Sequence, residues 1–192
     1  MKKRHTIALN LYAALAYRFL LIMFLYTLCR LGFYFFNHSL FQHITLPEYL
    51  YMLWGGLKFD VSALIYINLI FILLQIIPFP FRYKEGYQRF CKWLFIVSNS
   101  LGILANFADF AYFKYTLKRT TATVFSQFSN EQNKLKLFMD FLADYWYLFL
   151  LYALLIWIFI WLYQLVTVKK PLSYKWPAYV LHTVLLFVIA LV

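Results

Sequence analysis

Charged residues are scarce in this chain of 192 residues: they make up 13% of it, and only seven are Asp or Glu. Soluble domains carry about twice that share of charge, so these side chains cannot cover a water-exposed surface. Hydrophobic residues make up 65% of the chain, and the mean hydropathy is +0.70. The composition therefore predicts an integral membrane protein.

Cysteines and catalytic motifs are also rare or missing. The two cysteines, Cys29 and Cys91, fall at or within apolar runs, which excludes a disulfide framework and gives no metal-ligand spacing. The sequence has no Gly-rich phosphate loop, no His-Glu-x-x-His and no Gly-x-Ser-x-Gly. Ten-residue segments of alternating hydrophobicity are missing too, which excludes a transmembrane barrel. We therefore predict no catalytic residue, cofactor site or metal site in this chain.

Five long apolar runs divide the chain. They cover about residues 12–36, 57–77, 90–113, 145–166 and 176–192. A transmembrane helix needs about 20 apolar residues, so the first four runs can each cross a hydrocarbon core of about 30 Å. The last run has only 17 residues and reaches the end of the sequence, so we expect the chain to be part of a longer protein. The predicted fold is an all-α integral membrane protein, a bundle of five transmembrane helices.

The Lys and Arg residues predict the orientation of the bundle. The short segments expected inside hold ten of them: Lys2, Lys3, Arg4, Arg82, Lys84, Arg89, Lys92, Lys169, Lys170 and Lys175. The longer segments expected outside hold six, namely Lys58, Lys114, Lys118, Arg119, Lys134 and Lys136, partly offset by acidic residues. Because cytoplasmic loops carry the excess of basic residues, the N-terminus is predicted to be cytoplasmic and the C-terminus extracytoplasmic. The net charge of +11 is then explained by the basic residues that set the orientation in the membrane, and nucleic acid is not an expected partner.

The segment between the third and fourth runs predicts an additional amphipathic helix. Apolar residues recur there at helical spacing with charged residues between them: Leu135, Phe138, Phe141 and Leu142 alternate with Lys134, Lys136, Asp140 and Asp144. This pattern is typical of a helix that lies in the membrane interface. A short helix packed on the bundle gives the same pattern and is the alternative.

The third apolar run is the most polar of the five. Asn99, Asn106 and Asp109 follow one another at spacings of seven and three, which places them on one helical face. That face is predicted to contact protein rather than lipid.

Six charged residues are predicted to lie near the outer face of the membrane: Arg30, Lys58, Asp60, Asp109, Lys118 and Arg119. A charge at the bilayer centre costs on the order of 3 kcal/mol on insertion scales, so charges this close to a span need the interface or a partner. We hypothesise that Arg30, Asp60 and Asp109 form an ionic cluster between the first three helices. Lys58, Lys118 or Arg119 would then hold a lipid phosphate. The alternative is a cluster that only locks the helices together.

Several short motifs resemble those of one protein family. They are the run Gly56-Leu57-Lys58-Phe59-Asp60-Val61-Ser62-Ala63, then Asn68, Pro78 and Asn99, and finally Asp109-Phe110-Ala111-Tyr112-Phe113 with Arg119-Thr120-Thr121. Together they resemble the N-terminal membrane region of lipoteichoic acid synthase-like proteins, which belong to the alkaline phosphatase and sulfatase superfamily. They are also similar to phosphoethanolamine transferases. The resemblance covers the whole chain.

The resemblance implies that the five helices anchor a large extracytoplasmic catalytic domain, absent from this chain, in the bacterial plasma (inner) membrane. In that domain a metal-activated threonine would transfer a phospholipid headgroup, of the phosphoglycerol or phosphoethanolamine type, or the domain would hydrolyse a sulfate or phosphate ester. The expected partners are membrane lipids and that domain, and the divalent metal would be bound there. Thr120, Thr121 and Thr123 precede the fifth run, so the role of the nucleophile is not assigned to them.

A free-standing polytopic membrane protein is the competing interpretation. Such a protein would be a small transporter or a non-enzymatic assembly factor. Asp60 and Asp109 could serve a transporter as a proton relay, although the sequence shows no inverted repeat and no broken helix.

Overall fold

The computed structural model describes residues 6–41, 45–77, 79–119 and 134–169. The elements in chain order are β1 (Ile7–Leu9), α1 (Leu11–Phe36), α2 (Leu46–Ile67), α3 (Leu69–Ile76), α4 (Glu85–Thr116), α5 (Lys134–Asp144), α6 (Trp146–Tyr163) and β2 (Val166–Val168). Short 3-10 helices occupy His38–Leu40 and Pro80–Tyr83. The described residues are thus mostly helical, as the composition predicts.

Four of these helices, α1, α2, α4 and α6, are long and apolar enough to cross a membrane. They correspond to the first four predicted runs. The fifth run, residues 176–192, lies outside the described residues. A bundle of five helices therefore stays a prediction.

The second helix begins earlier than the sequence predicted. Its span was placed at about residues 57–77, whereas α2 begins at Leu46, so residues 46–57 are helical rather than part of a loop. The reason is a local capping arrangement: the carboxylate of Glu48 accepts hydrogen bonds from the backbone N–H and the hydroxyl of Thr45, both at 2.8 Å. Pro47 lies in the first turn, where proline is favoured.

Only Asn68 separates α2 from α3, and the backbone hydrogen bonds continue through it. Its N–H donates to the Leu64 carbonyl at 3.0 Å, and its carbonyl accepts from the N–H of Ile72 at 2.8 Å. The side-chain amide exchanges two hydrogen bonds with Asn99 of α4, at 2.9 and 2.7 Å. Both amides are fully buried, so this polar pair joins α2 and α3 to α4.

The polar face of α4 contacts protein, as predicted. Asn99 and Asp109 are buried and Asn106 is half-buried. The core around them is apolar and lies where α1, α4 and α6 meet, with the fully buried side chains Ile22, Leu25, Phe95, Ile103 and Phe159.

The outward faces of the helices carry more large apolar side chains than the surface of a soluble protein normally does. Among those more than half exposed are Leu20, Phe24, Trp54, Tyr66, Val97, Leu101, Leu154 and Trp157. Exposed apolar surface on this scale is typical of a face that contacts a membrane or another protein.

A pair of short strands shows which segments share one end of the bundle. β1 pairs with β2 in parallel, with Ile7 opposite Val166 and Leu9 opposite Val168. The beginning of α4 lies at the same end, because Gln88 and Arg89 line one cavity together with Val166. The described parts of the segments predicted to be cytoplasmic therefore lie together, at what we call the strand end. Which side of the membrane this end faces stays a prediction.

The opposite end, where α1 ends and α2 begins, we call the far end. The predicted helix between the third and fourth spans is present as α5, Lys134–Asp144. The ring of Phe141 lies 5.0 Å from that of Tyr145 and 6.2 Å from that of Phe149, so α5 contacts the beginning of α6. A position of α5 in the membrane interface stays a prediction.

Candidate functional site

A cavity of about 630 Å³ lies at the far end between α1, α2 and α4. Its lining residues are Tyr26, Arg30, Phe33, Tyr34, Phe41, Tyr49, Met52, Leu53, Gly56, Phe59, Asp60, Ala63, Asn106, Phe113 and Arg119. Helical periodicity explains the set: Tyr26, Arg30 and Phe33 share one face of α1, and Gly56, Asp60 and Ala63 share one face of α2. We call this space the far-end cavity.

An ion pair joins α1 to α2 across the cavity wall. Arg30 Nη2 donates a hydrogen bond to Asp60 Oδ1 at 2.7 Å and another to the Gly56 carbonyl at 3.1 Å. The two charged side chains are only 17% and 15% exposed. The structure thus brings together two of the residues of the hypothesised ionic cluster. Each neutralises the charge of the other, as a charged side chain within an apolar span requires.

Gly56 makes room for this ion pair. A Cβ atom built on Gly56 would fall on the Arg30 guanidinium, whereas one built on Gly55 would meet nothing within 4 Å. The missing side chain at residue 56 therefore lets the guanidinium lie directly against the backbone of α2. The adjacent Gly55 has no such role.

Asp109, the third residue of the hypothesised cluster, lies next to Arg119 instead. Arg119 Nε is 3.7 Å from Asp109 Oδ2, which is an ionic contact but too long for a hydrogen bond. The Arg119 guanidinium also lies 5.1 Å from the centre of the Phe33 ring, a cation–π contact. In the described residues the hypothesised cluster is thus two ion pairs, Arg30–Asp60 and Arg119–Asp109. Lys58 and Lys118 are exposed and do not line the far-end cavity.

Three residues that line the cavity carry a buried polar atom with no hydrogen-bond partner among the described residues: the hydroxyl of Tyr26, which lies against Gly102 of α4, the hydroxyl of Tyr49, and Asp60 Oδ2. Tyr26 is only 6% exposed. Buried polar atoms are almost always hydrogen-bonded, so these three indicate a water molecule, ion or ligand as a partner. The hydroxyls can donate, while the carboxylate oxygen can only accept. The far-end cavity therefore suits a ligand that carries both acceptors and a donor.

Aromatic rings form the apolar part of the wall. The rings of Tyr34 and Tyr49 are 4.1 Å apart, and Phe113 lies 4.9 Å from Phe33 and 5.9 Å from Phe41. Apolar walls with a few converging polar groups are typical of ligand sites. Within the described ranges, no three His, Cys, Asp or Glu side chains come together as metal ligands would.

Sequence reasoning missed Tyr26, Tyr49 and the role of Gly56. One pattern could have found two of them: Tyr49, Gly56 and Asp60 recur at helical spacing on the same face of α2. That signal depends on knowing that α2 begins at Leu46. The prediction started the helix too late to include Tyr49.

No protein-family model, curated protein or solved structure matches the chain. The resemblance to lipoteichoic acid synthase-like proteins therefore stays a hypothesis based on short motifs.

Proposed function

We propose that this chain is a membrane domain that holds the headgroup of a phospholipid in the far-end cavity. In this proposal it anchors an extracytoplasmic enzyme of the lipoteichoic acid synthase-like type in the bacterial plasma membrane. The observation that supports it most is the group of unpartnered polar atoms on Tyr26, Tyr49 and Asp60, beside two arginines in one cavity.

A phosphate group fits the donors of the cavity. Arg30 uses only Nη2 for its two hydrogen bonds, and a guanidinium has five N–H donors in all. Arg119 is half exposed and can turn toward a ligand. Hydrogen bonds between a guanidinium and a phosphate are charge-assisted and about twice as strong as neutral ones. The hydroxyls of Tyr26 and Tyr49 would donate to the remaining phosphate oxygens.

Asp60 narrows the choice of headgroup. Its free oxygen, Oδ2, needs a hydrogen-bond donor from the ligand. The hydroxyls of a phosphoglycerol headgroup and the ammonium of phosphoethanolamine are such donors. The quaternary ammonium of phosphocholine has no N–H. We therefore expect phosphatidylglycerol and phosphatidylethanolamine to bind better than phosphatidylcholine.

The acyl chains would leave the cavity along α2. Met52 and Phe59 line the cavity and are also largely exposed on the outward face of this helix. An apolar route thus connects the headgroup site to the surface expected to face lipid. The domain itself would make and break no bonds. It would hold the headgroup in position for the catalytic domain, which lowers the entropic cost of the reaction.

Lipid retention tests this proposal. We expect the purified chain, taken from nanodiscs of equal parts phosphatidylglycerol, phosphatidylethanolamine and phosphatidylcholine, to retain one of the first two in native mass spectrometry. Tyr26→Phe and Tyr49→Phe each remove one hydroxyl, so each should weaken retention about threefold, and the double variant about tenfold. Tyr66→Phe is the matched control, because Tyr66 belongs to the same helix as Tyr49 but is 79% exposed and outside the cavity.

Two outcomes would contradict the proposal. One is retention of phosphatidylcholine as strong as that of the other two lipids. The other is a double Tyr26→Phe/Tyr49→Phe variant that retains lipid as well as Tyr66→Phe does.

A further inference from the structure

A second cavity, of about 590 Å³, lies at the strand end, on the other side of the bundle from the far-end cavity. Its charged lining residues are Arg18, Arg89, Lys92 and Glu85, so three cations face one carboxylate. Tyr163, the last residue of α6, also lines it. We call it the strand-end cavity. Its surplus of positive charge favours an anion.

Arg18 is the unusual residue of this cavity. It is only 3% exposed, although an arginine near the end of a span normally extends its charged group to the water. Its guanidinium lies over the ring of Tyr163, 4.5 Å from the ring centre, and 5.9 Å from that of Phe71. Among the described residues it has no carboxylate within ion-pair distance, and its buried Nε has no hydrogen-bond partner.

The comparison with Arg30 shows what is missing at Arg18. Both arginines belong to α1 and both are largely buried. Arg30 is neutralised by Asp60, whereas the Arg18 guanidinium lies against the rings of Tyr163 and Phe71 and has no carboxylate beside it in the part of the chain that the structure describes. A buried charge needs a counter-charge or strong hydrogen bonds to be stable in a span. An anion in the adjacent cavity would supply both.

Tyr163 adds a second buried donor. The residue is 3% exposed, and its hydroxyl has no hydrogen-bond partner among the described residues. Arg18 and Tyr163 thus both line the same cavity, each with a buried polar atom that lacks a partner. Arg18 lies about 10 Å along α1 from Leu11 at 1.5 Å per residue. With the 26 residues of α1 centred on a hydrocarbon core of about 30 Å, this position is about 6 Å inside the edge of the core, a depth from which a long arginine side chain reaches toward the headgroups.

We propose that the strand-end cavity binds a phosphate-bearing anion. Arg18 and Tyr163 are the buried donors, and Arg89 and Lys92 add positive charge around them. The ligand is either the headgroup of an anionic phospholipid in the leaflet at the strand end or a soluble phosphate compound. This site is separate from the far-end cavity and does not depend on the function proposed there.

Two probes distinguish these sources. The first is phosphatidic acid in phosphatidylcholine nanodiscs, read by native mass spectrometry of the purified chain. The second is glycerol 3-phosphate added to nanodiscs of phosphatidylcholine alone, read by titration calorimetry. Both are measured in the Tyr26→Phe/Tyr49→Phe background, in which binding in the far-end cavity is weakened, and the part of the binding that Arg18→Gln removes is assigned to the strand-end cavity. Binding of phosphatidic acid alone assigns the site to a lipid headgroup, and binding of glycerol 3-phosphate assigns it to a soluble ligand.

The variants test whether the binding occurs in this cavity. Arg18→Gln should weaken binding about tenfold or more, and Tyr163→Phe about threefold, the losses typical of a charged and a neutral hydrogen bond. Lys84→Gln is the matched control: it removes one positive charge at the same end from an exposed residue outside the cavity. If Arg18→Gln does not fold, Tyr163→Phe decides, because it keeps the ring that contacts Arg18.

Three results would overturn the proposal. The first is that neither probe binds. The second is that Arg18→Gln and Tyr163→Phe bind the probes as strongly as the parent protein does. The third is that Lys84→Gln weakens binding as much as Arg18→Gln.

Discussion

Gly56→Ala is expected to lower the free energy of unfolding by roughly 2–4 kcal/mol, the range for overpacking combined with a disturbed buried ion pair. The added Cβ would fall on the Arg30 guanidinium. Either α2 moves away from α1, or Arg30 leaves Asp60 and the Gly56 carbonyl. Reversible unfolding in mixed micelles, followed by circular dichroism, measures the effect.

Gly55→Ala is the matched control for this prediction. A Cβ at Gly55 meets nothing within 4 Å, and alanine forms helix better than glycine by up to about 1 kcal/mol. This variant should therefore be neutral or slightly more stable. Equal destabilisation by the two substitutions would contradict the close contact between Arg30 and α2.

A second control separates the steric effect from other effects at Gly56. In the background of Arg30→Ala the guanidinium is absent, so the further change Gly56→Ala should cost little. The two substitutions should thus be strongly non-additive, as expected for residues in direct contact. Additive effects would show that Gly56 matters for a reason other than Arg30.

Asn68→Leu is expected to destabilise the protein by about 1–3 kcal/mol, the cost of leaving a buried polar group without its partner. The partner is Asn99, which exchanges two hydrogen bonds with Asn68 and is fully buried. In the substituted protein Asn99 keeps only its bond to the Phe95 carbonyl in its own helix. The same unfolding assay measures the loss.

A double-mutant cycle tests whether the two amides act as a pair. Asn68→Leu/Asn99→Leu leaves neither amide buried alone, so its effect should be clearly smaller than the sum of the single effects. Ser62→Ala is the control in the same helix, since Ser62 is exposed and donates only to the Lys58 carbonyl of its own helix. It should change stability by less than about 0.5 kcal/mol. A cycle with no coupling would contradict the amide pair.

The spanning helices could be predicted from the sequence because length and hydropathy are local properties. The beginning of α2 could not be predicted from hydropathy alone. Its window has the lowest hydropathy of the four spans, 1.2, and its capping residues Thr45 and Glu48 are polar, so hydropathy does not reveal them. The pairing of β1 with β2 had no local signal, because it joins three-residue segments from opposite ends of the described chain.

The ion pairs of the candidate site could be anticipated in part. A charge near a span needs an oppositely charged partner. The chain has only seven Asp and Glu residues, so an ion pair between Arg30 and Asp60 could be predicted. The contact of Asp109 with Arg119 required knowledge of how α4 ends. Among 17 tyrosines, the sequence could not show that the hydroxyls of Tyr26 and Tyr49 lack a hydrogen-bond partner, because a buried hydroxyl without a partner is a property of the packed structure.

Arg18 shows the same limit at the strand end. The sequence places it near the beginning of the first span, where an arginine usually reaches the interface. Its burial depends on the rings of Phe71 and Tyr163, which come from α3 and α6. Only the packing of distant segments reveals this arrangement.

The most direct test of the central claim, a phospholipid headgroup in the far-end cavity, is to map where a headgroup reacts. The chain would be placed in nanodiscs that contain phosphatidylethanolamine with a photoreactive diazirine on its headgroup, and the adducts located by mass spectrometry. We predict adducts concentrated on lining residues such as Met52, Phe59 and Phe113, and reduced in Tyr26→Phe/Tyr49→Phe. Adducts spread equally over exposed far-end residues outside the cavity, such as Leu50 and Trp146, would contradict the claim.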